Sequence, residues 1–352
     1  MKFNAVAIVC RRLPNKRHSS GELRFHQIIE FFKSRARSLC LYHEHDVNKE
    51  LFQDTELKPV TSIRKDAPQF DIALLEFWYM HRYASFFQQA GVPVVIDSVD
   101  VEFVRREREA RVRGVQRKDF LQNKERELAA YRDADQIWVV TKEDAMAIEG
   151  VTSAISIIPN IHPLLSSPLP EGVREGVCFV GSFKHKPNVD GMRWYMREVL
   201  PLLSDVPHLI IGNDAPKDIR EMKGFVGGVK DSRAYVSQAR VSIAPLRYGA
   251  GMKGKIGEAF SCGTPVVTTS IGAEGYPVTH GKNMFIADTP EEFASGIKTL
   301  LANDEIWRQF AVGGKEIASQ YTPSRVYQLI EDSIVPLQRH RVMEESIKYT
   351  IE

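Results

Sequence analysis

The chain has 352 residues, of which 43% are hydrophobic and 26% charged, and its formal net charge is +2. That length suffices for two domains of ordinary size, and the composition is that of a globular chain rather than a disordered or fibrous one. So small a net charge offers no field toward nucleic acid, and no apolar run approaches the roughly 20 residues that a membrane span needs.

In chain order, "AVAIVC" predicts a first buried strand. The start "MKFNAVAIVCRRLPNKR" lacks the small-residue cleavage site of a signal peptide, so a cytoplasmic chain is expected. In "ELRFHQIIEFFKSR", residues Leu23, Phe25, Ile28, Ile29 and Phe32 recur at helical spacing. "SLCLYH", "DIALLEFW", "VPVVID" and "QIWVV" predict further strands, and the stretch from Val101 to Asp135 between the last two reads as one long charged helix. Continuous apolar strands alternating with helices signal a parallel sheet covered on both faces.

The pattern breaks at "IIPNIHPLLSSPLPEGVREG", where Pro, Ser and Gly cluster as in an interdomain linker. A second alternation follows: "VCFVGSF", "HLIIGN", "RVSIAPL", "TPVVTTS" and "NMFIAD" as strands, and "VDGMRWYMREVLPLL", "DIREMKGF" and "TPEEFASGIKTLLAN" as helices. Thr289 with Glu292 three residues on forms a capping box, and Pro323 opens a last helix. The expected fold class is α/β, with two doubly wound parallel-sheet domains, residues 1–165 and 166–325, facing across a cleft. A helix over 326–352 is expected to pack back on the first domain. In such sheets, ligands bind at the carboxyl ends of the strands.

Chemistry concentrates in "RVSIAPLRYGAGMKGKIGEAFSCGTPVVTTS". Gly249, Gly251 and Gly254 spell the dinucleotide pattern G-x-G-x-x-G, and with Lys255 the same loop spells G-x-x-x-x-G-K. Ile256 replaces the hydroxyl that a P-loop needs for Mg²⁺, which argues against an NTPase. The next strand ends in Thr268, Thr269 and Ser270 rather than in an acidic ribose ligand, which argues against a nicotinamide enzyme. A third reading keeps the physics. Glycines let backbone approach a phosphate, and a helix starting near Met252 offers N–H groups and a positive dipole end. Arg247, Lys253 and Lys255 add cations, and Glu258, two turns into that helix, can accept two hydroxyl hydrogen bonds from a ribose. Phosphate at the mouth and a diol deeper in describe a nucleoside diphosphate sugar.

This stretch, with "FVGSFKHKPNVDGMRWYMREVLPLL" before it and "GKNMFIADTPEEFASGIKTLLAND" after it, resembles family 4 of the retaining glycosyltransferases, in the bacterial subgroup carrying "GAG.K.K..EA". The resemblance is strong over residues 175–325 and weaker in the first half. It implies the GT-B fold, two Rossmann-like domains with the donor held by the second, and an activity in bacterial polysaccharide or glycoconjugate assembly. It also implies a donor that is a substrate rather than a permanent cofactor, no bound metal, and a glycan, lipid-linked or small-molecule acceptor. By this resemblance Glu258 faces the ribose, while the family's other glutamate falls on Ala250. The sugar is then read by backbone of the Gly249–Ala250–Gly251–Met252 turn. Gly181, Ser182 and Lys184 stand where relatives neutralise the diphosphate, followed by His185 and Lys186. Gly21 stands in the family's closing loop. Two alternatives share this donor site: a sugar-nucleotide epimerase or hydrolase, and a non-catalytic partner of an active transferase.

Asp97, Asp100 and Glu102 follow the strand "VPVVID" and so belong to the cleft side, with Asp100 the candidate there for catalysis. Relatives carry a histidine where this chain has Val99. Arg105, Arg106, Arg108, Arg111 and Arg113 cluster on the charged helix and suggest contact with an anionic lipid-linked acceptor or the inner membrane face. His26, His81, His162 and His185 show no metal-ligand spacing. The scattered Cys10, Cys40, Cys178 and Cys262 read as buried free thiols.

Overall fold

The computed structural model describes residues 3–15, 20–114, 118–164 and 174–351, with side chains to 337. The middle of the predicted linker, 165–173, and residues 115–117 of the predicted long helix lie outside the described residues.

The first half runs β1 (Phe3–Arg12), α1 (Ser20–Arg35), β2 (Ala36–His45), β3 (Glu56–Pro59), α2 (Ile63–Asp66), β4 (Ile72–Glu76), α3 (Ala84–Gln88) and β5 (Val94–Asp97). It continues through α4 (Glu102–Arg113), α5 (Phe120–Asp133), β6 (Gln136–Val139), α6 (Lys142–Ile148) and β7 (Ile155–Ile157). The strands form one sheet in the order β3-β2-β1-β4-β5-β6-β7. Every pairing in it is parallel. Successive side chains of a strand point to opposite faces, and here both faces are dry. Val6, Ile8 and Cys10 enter one apolar cluster while Ala7 and Val9 enter the other. That two-sided burial is why the strands read as unbroken apolar runs.

The second half runs β8 (Glu175–Val180), α7 (Lys186–Trp194), β9 (His208–Ile211), α8 (Lys217–Arg220), β10 (Phe225–Gly227), α9 (Arg233–Val236), β11 (Ala239–Ala244) and α10 (Gly254–Ser261). Then come β12 (Val266–Thr268), α11 (Ser270–Ala273), β13 (Phe285–Ile286), α12 (Pro290–Ala302), α13 (Asp304–Ala318) and α14 (Pro323–Ile351). Its parallel sheet has the order β10-β9-β8-β11-β12-β13. Thr289 caps α12 by accepting the Glu292 N–H at 3.3 Å, as the capping box requires. Helix α14 returns to the first domain. Val326, Ile330 and Ile334 join the cluster under α1, and Tyr327 packs on Phe31 with ring centroids 5.3 Å apart.

Three expectations need correction. The charged segment 101–135 is two helices, because Gly114 at φ +68° ends α4 in the left-handed conformation. Strands β3 and β7 were not predicted: they are only four and three residues long, lie at the two sheet edges with mostly half-exposed side chains, and Ile157 of β7 falls inside the predicted linker. Helix α13 went unread. It starts directly after α12, with the Asn303 side chain accepting the Ile306 N–H.

The carboxyl ends of the two sheets face each other. A Cβ on Gly251, after β11, would lie 3.0 Å from Asp100 Cβ and 3.2 Å from Val99 O, after β5. A Cβ on Gly275 would lie 2.7 Å from Thr141 Cγ2.

Candidate functional site

Helix α10 begins at Gly254, two residues later than the sequence suggests, because Lys253 is still extended (φ −85°, ψ 95°). Gly251, at φ +68°, needs to be glycine both for that conformation and for its closeness to Asp100. The two carbonyls of the glycine turn are held by cations. Arg108 Nη1, from α4 of the first domain, donates to Gly249 O at 2.8 Å, and Lys253 Nζ donates to Gly251 O at 2.6 Å. Both cations share one carboxylate. Arg108 reaches Glu274 through two hydrogen bonds of 2.7 and 2.8 Å, and Lys253 approaches it at 3.5 Å. Burial pushes the Lys253 ammonium pKa down, against the pull of Glu274 and Asp144. Sequence reading sets Lys253 on a phosphate; here its ammonium meets the Gly251 carbonyl and Glu274.

Lys255 and Glu258 lie three residues apart and therefore on one face of α10. Lys255 Nζ donates to Asn188 Oδ1 at 2.6 Å and sits 4.0 Å from the centroid of the Phe179 ring. Its pKa is lowered to about 7 by burial, with Glu258 opposing. Asn188 Nδ2 in turn donates to Ser182 O at 2.7 Å, which ties the turn after β8 to this lysine. A Cβ on Gly181 would meet Asn188 Nδ2 at 2.8 Å and Lys255 Nζ at 3.0 Å, so only glycine leaves that approach open. Glu258 accepts a short hydrogen bond from Ser232 Oγ, and burial raises its pKa while Ser232 opposes the rise. Asn188 and Ser232 join this candidate site without being singled out from the sequence. Asn188 lies in the run "FVGSFKHKPNVDG" that carries the resemblance, and Ser232 lies outside the glycine loop.

The other predicted residues scatter. Arg247 is bound to Asp190 through two hydrogen bonds of 2.8 and 2.6 Å. Lys184 is exposed and stands 3.6 Å from Asp214. His185 precedes α7, and Lys186 is its exposed first residue. Met252 O accepts from Asn160 Nδ2 at 2.9 Å, another link across the domains. Gly21 lies in the first turn of α1. Its neighbour Ser20 meets α10, for a Cβ on Gly254 would lie 2.1 Å from Ser20 Cβ. The starts of two helices, one from each domain, thus converge, and both present positive dipole ends.

On the first domain, Asp100 Oδ2 accepts from Arg105 Nε at 2.7 Å. The preceding Val99 is held at φ +60°, a costly conformation for a β-branched residue, and such strain concentrates at working sites. Four of the five clustered arginines are paired within the protein. Arg105 pairs with Asp100, Arg106 with Glu102 and Glu109, Arg108 with Glu274, and Arg113 with Glu109. Arg111 and Arg113 remain exposed on α4. No described helix is long and apolar enough to cross a membrane.

Residues 174–303 match the family model for Glycosyl transferases group 1. A Klebsiella pneumoniae protein, described as an uncharacterized 44.6 kDa protein in the cps region, is 27% identical over 172 residues, 44% of this chain and 44% of that protein. The chain thus aligns with less than half the length of that relative. Among solved structures, Anabaena HepE in complex with UDP and glucose has a TM-score of 0.77 at 15% identity, covering 95% of this chain and 100% of HepE. S. aureus TarM in complex with Fondaparinux, alpha-GlcNAc-glycerol and UDP has a TM-score of 0.72 at 10% identity, covering 94% and 99%. Sucrose-phosphate synthase from Thermosynechococcus elongatus has a TM-score of 0.70 at 14% identity, covering 95% and 99%. At these identities the likeness establishes the fold, which is the GT-B arrangement of two facing parallel-sheet domains.

Proposed function

We propose that this chain is a glycosyltransferase that moves a sugar, a hexose or close relative, from a nucleoside diphosphate sugar to an acceptor hydroxyl with retention at the anomeric carbon. The observation that carries the reading is the pair Lys255 and Glu258, on one face of α10 beneath the side-chain-free Gly181. In this reading Glu258 and Ser232 take the ribose hydroxyls. Lys255 and the converging starts of α10 and α1 take the diphosphate, whose negative charge grows as the glycosidic bond breaks. Donors already aimed at that charge stabilise the transition state more than the ground state. Arg247 and Lys253, engaged by Asp190 and by the Gly251 carbonyl, act from behind this layer. Closure of the domains, with Asp100 set against Gly251, excludes the water that would hydrolyse the donor.

The family match covers the half that holds Lys255 and Glu258, and HepE was solved with UDP-glucose in the same fold. The first supports sugar transfer, and the second a uridine diphosphate sugar as donor. The Klebsiella relative's cps region supports a setting in bacterial polysaccharide assembly.

The reading is tested by thermal shift of the full chain with UDP, GDP, ADP, CMP, dTDP and NAD, followed by release of UDP from UDP-glucose. Stabilisation by a single nucleoside diphosphate is the expected result. Stabilisation by NAD alone, or by none of them, overturns it.

A further inference from the structure

We infer that Arg108 is a positioning residue for the glycine turn, supplied by the opposite domain, so that the turn takes its working shape only when the domains are closed. The inference deepens the donor-site reading above and rests on it for the word "working". Its geometry stands by itself. Arg108 belongs to α4 of the first domain, yet its Nη1 reaches Gly249 O at 2.8 Å while the same guanidinium holds both oxygens of Glu274. Lys253 completes the arrangement by donating to Gly251 O at 2.6 Å and approaching the same Glu274. Two alternate carbonyls of one turn are thus drawn into the seam by two cations that share one counter-ion.

A trans peptide points its C=O and the following N–H in opposite directions. Drawing the Gly249 and Gly251 carbonyls into the seam therefore turns the Ala250 and Met252 N–H groups away from it. Lys253 and Glu274 both lie in the second domain and would keep their contact if the domains parted. The Arg108 bond would not survive parting, and with it goes the restraint on the Gly249–Ala250 peptide. Ala250 brings no side chain beyond a methyl to this turn, so the orientation of that peptide is the polar feature left there to control.

Two explanations compete: a latch that merely holds the domains together through Arg108–Glu274, and a positioning bond to the Gly249 carbonyl. The swap R108E/E274R separates them, because it restores the ion pair but sets a carboxylate against the Gly249 carbonyl. The experiment uses the full chain as R108A, R108K and the swap, with three readouts: amide exchange of the peptide containing 249–252 without ligand, UDP affinity by calorimetry, and UDP release from UDP-glucose. In R108A, exchange in the turn and loss of turnover are each expected at about tenfold or more, the size of one lost charge-assisted hydrogen bond. UDP affinity is expected to stay within about threefold, since Lys255 and Glu258 are untouched. R108K should recover part of both losses, and the swap neither. Full recovery by the swap, or unchanged exchange in R108A, overturns the inference. A wild-type chain that neither binds UDP nor releases it overturns the donor reading instead, and the exchange measurement still decides the role of Arg108.

Discussion

Arg24 and Asp97 form an ion pair of 2.5 Å in which neither side chain reaches solvent. Arg24 also donates to Ile158 O at 2.9 Å, so the pair fastens α1 to the end of β5 and to the segment leaving β7. Its place at the carboxyl end of the sheet makes Asp97 look like a cleft residue, yet its role is to neutralise a buried guanidinium. Asp97→Ala strands that charge and should destabilise the chain by about 3–5 kcal/mol. Replacing both partners, as R24M/D97L, should cost less than Asp97→Ala alone. Denaturant unfolding of the three variants checks the order, and an unchanged midpoint for Asp97→Ala would remove the argument.

Lys255 ties stability and binding to pH in opposite senses. Its folded pKa, about 7, lies below the ordinary 10.5. Between those values the unfolded chain binds a proton that the folded one does not, so this lysine makes unliganded stability rise with pH across the window. A bound diphosphate favours the ammonium, so binding takes up a proton above pH 7. Affinity for UDP should then fall as pH rises, by up to about tenfold per unit. Lys255→Met should abolish that slope, weaken UDP, and raise the melting temperature of the unliganded protein near neutral pH. Calorimetry from pH 6 to 9 decides it; a flat wild-type profile would take Lys255 out of the phosphate site.

Glu258 is expected to matter for binding and not for folding. Burial already disfavours its charge, so Glu258→Ala should leave the melting temperature unlowered. It should cost UDP affinity about 1.5–3 kcal/mol, the worth of a hydrogen bond to a charged group. Ser232→Ala, which removes the hydroxyl that orients Glu258, should cost less. Equal affinity of Glu258→Ala and wild type would show that the ribose lies elsewhere.

Arg247→Ala is the contrasting case. The guanidinium faces Asp190 with about a third of its side chain exposed, and such pairs contribute about 0–1 kcal/mol. Stability should barely move and UDP affinity should stay within about twofold. A loss comparable with that of Glu258→Ala would return Arg247 to the phosphate site.

Much of the fold was legible because its causes are local. Two-sided burial wrote β1, β2, β4, β5 and β6 as apolar runs, and Thr289 announced α12 through a bond spanning three residues. Edge strand β3 escaped because exposure on a sheet edge relaxes the demand for apolar residues, and β7 because its three residues run straight into the Pro-rich segment after it. Lys255 reads as a cation of the glycine loop and Glu258 as a carboxylate on the helix after it; that both stand on one face of α10 follows from its start at Gly254. The partner of Arg108 was not legible, because Glu274 lies on the other domain and no helix period reaches it.

What the sequence by itself determined, then, is the alternation that builds two parallel-sheet domains and the helix face that carries one cation and one carboxylate. What only the tertiary structure decided is which charges meet. Arg108 and Glu274 are 166 residues apart, and Arg24 and Asp97 are 73 apart. Helix and strand periods extend over a few residues, whereas an ion pair needs its partners within about 4 Å in space, and only the packing of two folded domains brings them there.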